Sequence, residues 1–365
     1  MIYYTGIELG KTMSKQRRIS DYGIEIGELD TGKLNKISDV KGVKVGHFTI
    51  DTDIYKTGAT IISPSEKNIY LDKLIASSYV LNGYGKTTGL IQLDELGQLE
   101  SPIALTNTLN VGLVQDALLG YMIKKTAQEG VDISSINTVV AECNDSYLNK
   151  ITDRIVRNKH LISALKNTTI NFKEGDIGAG KGMSCHQLKG GIGSASRIFK
   201  LDNITYTMGV LVLSNHGILR DLLIRGKNIG KLIEGNIQLK REKDEGSIII
   251  IVATDLPLSS RQIKRICKRT SIGMARTGSF MGHGSGEIII GFSTANIINN
   301  KKAESEKCSI LNFKFLNEDK IDIAFRAVAE ATEEAILNSM ITAGDISGYK
   351  KHKRISLKNY MYLLE

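Results

Sequence analysis

Glu245-Gly246-Ser247-Ile248-Ile249-Ile250-Ile251-Val252-Ala253-Thr254-Asp255 is the stretch from which the rest of the chain is read. A charged run, Lys240 to Glu245, stops at a glycine, and a serine then opens a run of mostly β-branched residues. An unbroken apolar run of this length is the pattern of a strand buried on both faces in the middle of a sheet. Ser247 therefore stands at the mouth of a central strand. The residue before it has no Cβ, so the Ser247 hydroxyl can approach its own upstream carbonyl. Turns also place Gly and Ser before strands for conformational reasons, and the stretch gains chemical meaning only from what converges on it.

Outward from this strand the pattern alternates. Met208 to Leu213 reads as a second buried strand, ending in the polar cluster Ser214-Asn215-His216-Gly217. Downstream, Ser259 to Ala275 has the spacing of a basic amphipathic helix, and Gly282-His283-Gly284-Ser285-Gly286-Glu287 feeds the strand Ile288 to Phe292. Residues 321–343 form a last helix with Ala324, Ala327, Ala331 and Ala335 at helical spacing. Nearer the start, Gly42 to Thr49 and Gly58 to Ile62 suggest a hairpin. Strand-like segments Pro102 to Thr108 and Thr138 to Glu142 flank a helix, Val114 to Ala127. No repeat or linker divides the series. Residues 1–36, polar and punctuated, are set apart as an N-terminal extension, and 37–365 as a single layered α/β catalytic domain.

Composition excludes several classes. The 365 residues are 41% hydrophobic with 36 glycines, as in an ordinary globular protein rich in tight turns. The net charge of +9 invites nucleic acid, but Trp is absent, aromatics are 6%, and no helix-turn-helix, zinc-finger or RNP pattern occurs. No nucleic-acid partner is expected. Neither a secretory leader nor an 18-residue uncharged apolar run is present, so no membrane partner is expected either. Cys143, Cys185, Cys267 and Cys308 are scattered without a CxxC pair, which points to a reducing, cytoplasmic setting and gives no zinc spacing.

Three polar positions begin or end apolar strands: Asn215, Ser247, and Ser285 with Glu287. Residues two apart in an extended segment face the same way, so Ser285 and Glu287 can present a hydroxyl and a carboxylate to one site. Ser247 is then the candidate nucleophile, Ser285 and Glu287 its proton relay, and Asn215 an amide donor to a tetrahedral oxyanion. His216 and His283 lie nearby, but no G-x-S-x-G elbow supports a Ser-His-Asp arrangement. Cleavage at Gly246-Ser247 would add an α-amine, with a reference pKa of about 7.7–8.0, as a further base. Tyr147, in the polar loop Asn144 to Asn149, is a candidate substrate-binding residue or a packing tyrosine. A rival reading uses Gly175 to Lys181, which has Walker A spacing, as a nucleotide loop; Gly182 stands where the magnesium-binding Ser/Thr belongs.

The chain resembles the DmpA-type L-aminopeptidase/D-esterase and β-aminopeptidase family of self-processing N-terminal-serine hydrolases. The resemblance runs from about Gly42 to Asp345. It rests on Val43-Lys44-Val45-Gly46-His47, Asn82-Gly83-Tyr84-Gly85-Lys86, Leu105-Thr106-Asn107-Thr108, Gly175-Asp176-Ile177-Gly178-Ala179-Gly180, Lys189-Gly190-Gly191-Ile192-Gly193, Asn215, Gly246-Ser247 and Gly284-Ser285-Gly286-Glu287. It implies an αββα four-layer sandwich of the N-terminal-nucleophile-hydrolase type, self-cleaved into 1–246 and 247–365 and assembled as a homotetramer of processed chains. It also implies Ser247 as nucleophile, Ser285 and Glu287 as its partners and Asn215 as oxyanion donor. The implied substrates are short peptides, amides or esters with a free amino end, and no metal or organic cofactor is implied. Ser146 departs from the family's glycine in the Tyr147 loop, and the tail after Gly348 looks particular to this chain.

Overall fold

The computed structural model describes residues 16–236, 246–299 and 309–364. In chain order the strands are β1 (Lys44–Asp51), β2 (Lys56–Ser63), β3 (Asp72–Gly83), β4 (Gln98–Leu99), β5 (Ile103–Asn107), β6 (Val139–Cys143), β7 (Ser184–Cys185), β8 (Leu188–Lys189), β9 (Gly191–Leu201) and β10 (Ile204–Asn215). They continue with β11 (Leu223–Ile224), β12 (Lys227–Asn228), β13 (Ser247–Thr254), β14 (Gly286–Asn299), β15 (Ile346–Ser347) and β16 (Lys353–Arg354). The α-helices are α1 (Leu90–Leu96), α2 (Val111–Ala127), α3 (Asn158–Lys166), α4 (Ile229–Asn236), α5 (Ser260–Arg276) and α6 (Asp322–Ile341).

Two large sheets form, one in the order β1-β2-β5-β6 and one in the order β4-β3-β14-β13-β10-β9. The all-apolar run after Ser247 is the reason for the layering. Side chains alternate across a strand, and Ile249, Ile251 and Ala253 join Leu105, Ala141 and Leu213 in a core between the sheets. Ile248, Ile250 and Val252 point the other way, into a second core with Ile263, Ile266, Ala327 and Ala331 of α5 and α6. α2 and α3 cover the outer face of the four-stranded sheet, giving helix, sheet, sheet, helix. The αββα expectation holds, and every residue of β13 is buried.

Local chemistry explains the connections. β9 and β10 close on a two-residue turn, Asp202-Asn203, both at positive φ (48° and 64°), the geometry that matches the twist of a hairpin. β13 and β14 run parallel, with α5 as the crossover. α5 opens on a capping box between Ser259 and Gln262. The alanine stripe of α6 lets it lie directly on β9: a Cβ on Gly193 would come within 2.0 Å of the Ala335 carbonyl oxygen.

Part of the stretch set apart as an extension packs on this core. Ile19 is fully buried, and the Arg18 guanidinium lies 3.0 Å from the Glu174 carboxylate. Residues 1–15 lie outside the described residues. Past Gly348, the tail returns as β16, antiparallel to β15. Among the described residues no helix is long and apolar enough to cross a membrane.

Candidate active site

Ser247 is the first residue of β13 and sits between two strand ends. On one side it is paired with Asn215, the last residue of β10; on the other it is paired with Gly286, the first residue of β14. The central position of β13 thus brings Ser247, Asn215 and the Ser285–Glu287 segment together at one end of the sheet. The Gly286 amide donates to Ser247 Oγ at 3.2 Å. That amide belongs to the peptide between Ser285 and Gly286, so the hydroxyl is tied to the segment that carries the candidate relay residues Ser285 and Glu287. A Cβ on Gly286 would stand 2.6 Å from the Tyr84 carbonyl oxygen and 3.2 Å from Ser247 Oγ. Only glycine lets β14 approach so closely.

Ser285 and Glu287 are both fully buried. Ser285 Oγ donates to the Gly282 carbonyl at 2.6 Å, and the Asn82 amide lies 2.8 Å from that carbonyl oxygen and 3.4 Å from Ser285 Oγ. Glu287 is paired with Ile248 of β13 and Asn82 of β3, and the β14–β3 register shifts immediately after it. Such an irregularity re-aims side chains beside a site. The Asn215 side-chain oxygen accepts from the Ser184 amide at 2.8 Å. With its oxygen occupied in that way, the side chain offers its NH2 group as the donor end. From the opposing sheet, Cys143 Sγ reaches across to the carbonyl oxygen of Ser247 at 3.3 Å. Burial, with help from the neighbouring Glu142 carboxylate, pushes the Cys143 thiol well up, which keeps it a neutral donor.

Tyr147 is half-buried and joins the site at one remove. Its ring stacks on His352, with centroids 4.4 Å apart, and the Arg354 guanidinium lies 3.6 Å from its centroid. Arg354 Nε also donates to Ser184 Oγ at 3.0 Å. The tail residues therefore connect Tyr147, through Ser184, to Asn215. His283 is exposed, whereas His216 is buried behind Asn215, where burial first and the nearby His186 second push its pKa down to about 3.

The rival nucleotide loop does not have the geometry its spacing suggested. Gly178–Gly182 is a short 3-10 turn that leads into β7, with no α-helix to supply an N-terminus for phosphate. Lys181 Nζ is already paired, 2.8 Å from Asp51 and 2.9 Å from Asp176. The glycines serve close packing instead: a Cβ on Gly180 would meet the Ile192 amide at 2.6 Å.

Asn82, Ser184 and Cys143 were not singled out as site residues from sequence. Asn82 lies in a glycine-rich segment already conspicuous there, but its placement opposite Glu287 depends on the pairing of β3 with β14. Ser184 acts through its backbone amide, which no sequence pattern marks.

The family model described as peptidase family S58 matches residues 35–354. Over 357 residues the chain is 36% identical to the beta-peptidyl aminopeptidase BapA of Sphingosinicella xenopeptidilytica, covering 92% of this chain and 87% of that protein. Among solved structures, the PH0078 protein of Pyrococcus horikoshii OT3 superposes with a TM-score of 0.88 at 44% identity, covering 95% of this chain and 98% of that one. The L-aminopeptidase D-Ala-esterase/amidase of Ochrobactrum anthropi, described as a prototype for the serine aminopeptidases and a new variant of the Ntn-hydrolase fold, superposes with a TM-score of 0.87. It is 32% identical, covering 94% of this chain and 96% of that one.

Proposed function

Because the chain belongs to peptidase family S58, and is thereby a hydrolase of the aminopeptidase/amidase class, we propose that it works as a self-processing enzyme with Ser247 as its N-terminal nucleophile. The observation that carries this reading is the pairing of Ser247 with Asn215 on one side and Gly286 on the other. In it, Ser247 Oγ attacks the carbonyl of the first residue of a short peptide, amide or ester. The bond from Oγ to carbon forms, and the negative charge that develops on the oxygen is met by the Asn215 amide. The hydroxyl proton passes to the Ser247 α-amine freed by processing, or to the Ser285–Glu287 pair, and from there to the leaving amine or alcohol. Water then opens the acyl ester by the same route. Tyr147, held by His352 and Arg354, forms part of the substrate wall.

The reading routes no step through a metal ion or organic cofactor. Its setting is the cytoplasm, in keeping with Cys143, Cys185 and Cys267 as buried thiols outside any disulfide, and its assembly is a homotetramer of processed chains. The test is a panel of p-nitroanilides and amides of L-, D- and β-amino acids, each with its N-acetylated counterpart, together with D-Ala esters. Release from the free amines only, slowed about 10²-fold or more in Glu287→Gln, supports the reading. Equal turnover of the acetylated compounds, or full activity in Glu287→Gln, overturns it.

A further inference from the structure

Behind Asn215 lies a second polar cluster that the hydrolysis does not use. Cys185 ends β7 and is followed by His186; His216 follows Asn215 at the end of β10. One ligand-capable atom from each of Cys185, His186 and His216 lies within 4.8 Å of the other two, and all three residues are buried. Cys185 Sγ is 3.9 Å from His216 Nδ1, and the two imidazoles meet edge to face with centroids 5.5 Å apart. Three atoms no more than 4.8 Å apart share a point within about 2.8 Å of each (4.8/√3), against bonds of about 2.3 Å for zinc–sulfur and 2.0–2.1 Å for zinc–nitrogen. A contraction of under about 1 Å at each ligand closes that gap.

The protonation pattern also suits a metal. His186 Nδ1 lies 3.0 Å from the Ile218 carbonyl oxygen, which can only accept. The proton is therefore on Nδ1 and the lone pair on Nε2, the carbonyl-oriented tautomer in which histidines commonly bind metals. His216 turns its Nδ1 towards Cys185 Sγ, 3.9 Å away, so that nitrogen is the one placed to join the sulfur as a ligand. Packing fixes the rings: a Cβ on Gly217, at φ 85°, would stand 2.5 Å from the His186 ring.

We propose that Cys185, His186 and His216 form a site for one zinc ion, placed where it ties β7 to the end of β10. A thiolate with two imidazoles selects zinc-class ions over magnesium or calcium. Binding replaces the Cys185 S–H bond with a sulfur–zinc bond and releases one proton to solvent. The ion touches no reacting atom. Its ligands are chain neighbours of Ser184 and Asn215, so it positions the oxyanion donor through the backbone. Sequence spacing gave no hint of it, because Cys185-His186 and His216 meet only through the packing of β7 on β10.

The full chain, expressed or refolded with zinc because the site is buried, should retain about one equivalent after desalting, measured by elemental mass spectrometry. Refolded with cobalt, it should show a thiolate-to-cobalt charge-transfer band. Cys185→Ser and His186→Gln should each lower retained zinc at least about 10-fold, and Cys185→Ser should abolish the band. Ser247→Ala should bind like wild type, which separates this site from the hydrolytic reading. Should the ligand variants fail to fold, the wild-type cobalt spectrum decides alone. Absence of stoichiometric metal, a cobalt spectrum without the thiolate band, or undiminished zinc in folded ligand variants overturns the proposal.

Discussion

Asn215 and Ser247 face each other as directly paired residues across β10 and β13, and the oxygen end of the Asn215 amide is fixed by the Ser184 N–H at 2.8 Å. Donation from the other end is therefore separable from packing. Asn215→Ala is expected to lower kcat by about 10²- to 10³-fold with a much smaller change in KM, the usual effect of losing one oxyanion donor. Asn215→Asp keeps the acceptor for Ser184 but offers no N–H, and should be at least as damaged. Steady-state kinetics on a p-nitroanilide checks both; an Asp variant near wild-type activity would show that Asn215 only organises Ser184.

Gly286 is a second point of close approach. Gly286→Ala puts a methyl group 2.6 Å from the Tyr84 carbonyl oxygen, so β14 must shift away from β13. The cost should be about 1–3 kcal/mol of stability, with a loss of activity larger than the change in folding explains, since the Ser247 hydroxyl loses its anchoring amide. Gly120→Ala is the control. It lies on the exposed side of α2 with nothing within 4 Å of the new methyl, and should gain about 0.5–1 kcal/mol. Denaturant unfolding beside activity assays distinguishes the two.

The central strand was legible because an unbroken β-branched run of this length after Gly-Ser has few other uses. The hairpin of β1 and β2, the helices α2, α5 and α6, and the polar strand ends at Asn215 and Ser285 were legible for similar reasons of period and punctuation. What sequence could not supply was contact across long separations. Arg18 belongs to the core because of Glu174, and Arg354 reaches the Tyr147 loop only because β16 pairs back on β15. The Walker-like loop misled for a local reason: glycines that let backbones touch look the same in a string as glycines that cradle phosphate.

Acid should expose a buried histidine. Burial first, and then the nearby Lys36 charge, hold the His47 pKa near 4 in the fold, against an ordinary value of 6.5. Between these values the unfolded chain carries one more proton, so stability present above pH 6.5 is lost as pH falls towards 4, by roughly 3 kcal/mol in all. Asp145 works in the opposite sense. Burial raises its carboxyl to about 7 from 3.8, so the folded chain holds the extra proton, and this contribution is lost as pH rises through that window. Relative to wild type, His47→Gln should therefore improve as pH falls from 6.5 to 4, and Asp145→Asn should improve as pH rises from 4 to 7. Urea unfolding at pH 4.5 and 7 measures both slopes.

Processing is the prediction on which the nucleophile depends. Gly246 lies against the main chain at the end of β10: a Cβ there would come within 2.0 Å of the Asn215 carbonyl oxygen and 2.8 Å of the His216 Cα. Without a side chain, the Gly246 carbonyl is left open to the Ser247 hydroxyl. Attack gives an N-to-O acyl shift, and water opens the ester to leave residues 1–246 and 247–365. The two pieces should remain together under native conditions, because β13 is paired with β10 on one side and β14 on the other and buried along its length. Freshly purified protein should therefore run as two bands on a denaturing gel and one species by size exclusion, with intact masses that place the break before Ser247. Ser247→Ala should stay one chain and lose at least about 10³-fold in turnover, and Gly246→Ala should process slowly or not at all. An active wild-type protein that stays uncut, or a Ser247→Ala chain that still divides, would put the nucleophile elsewhere.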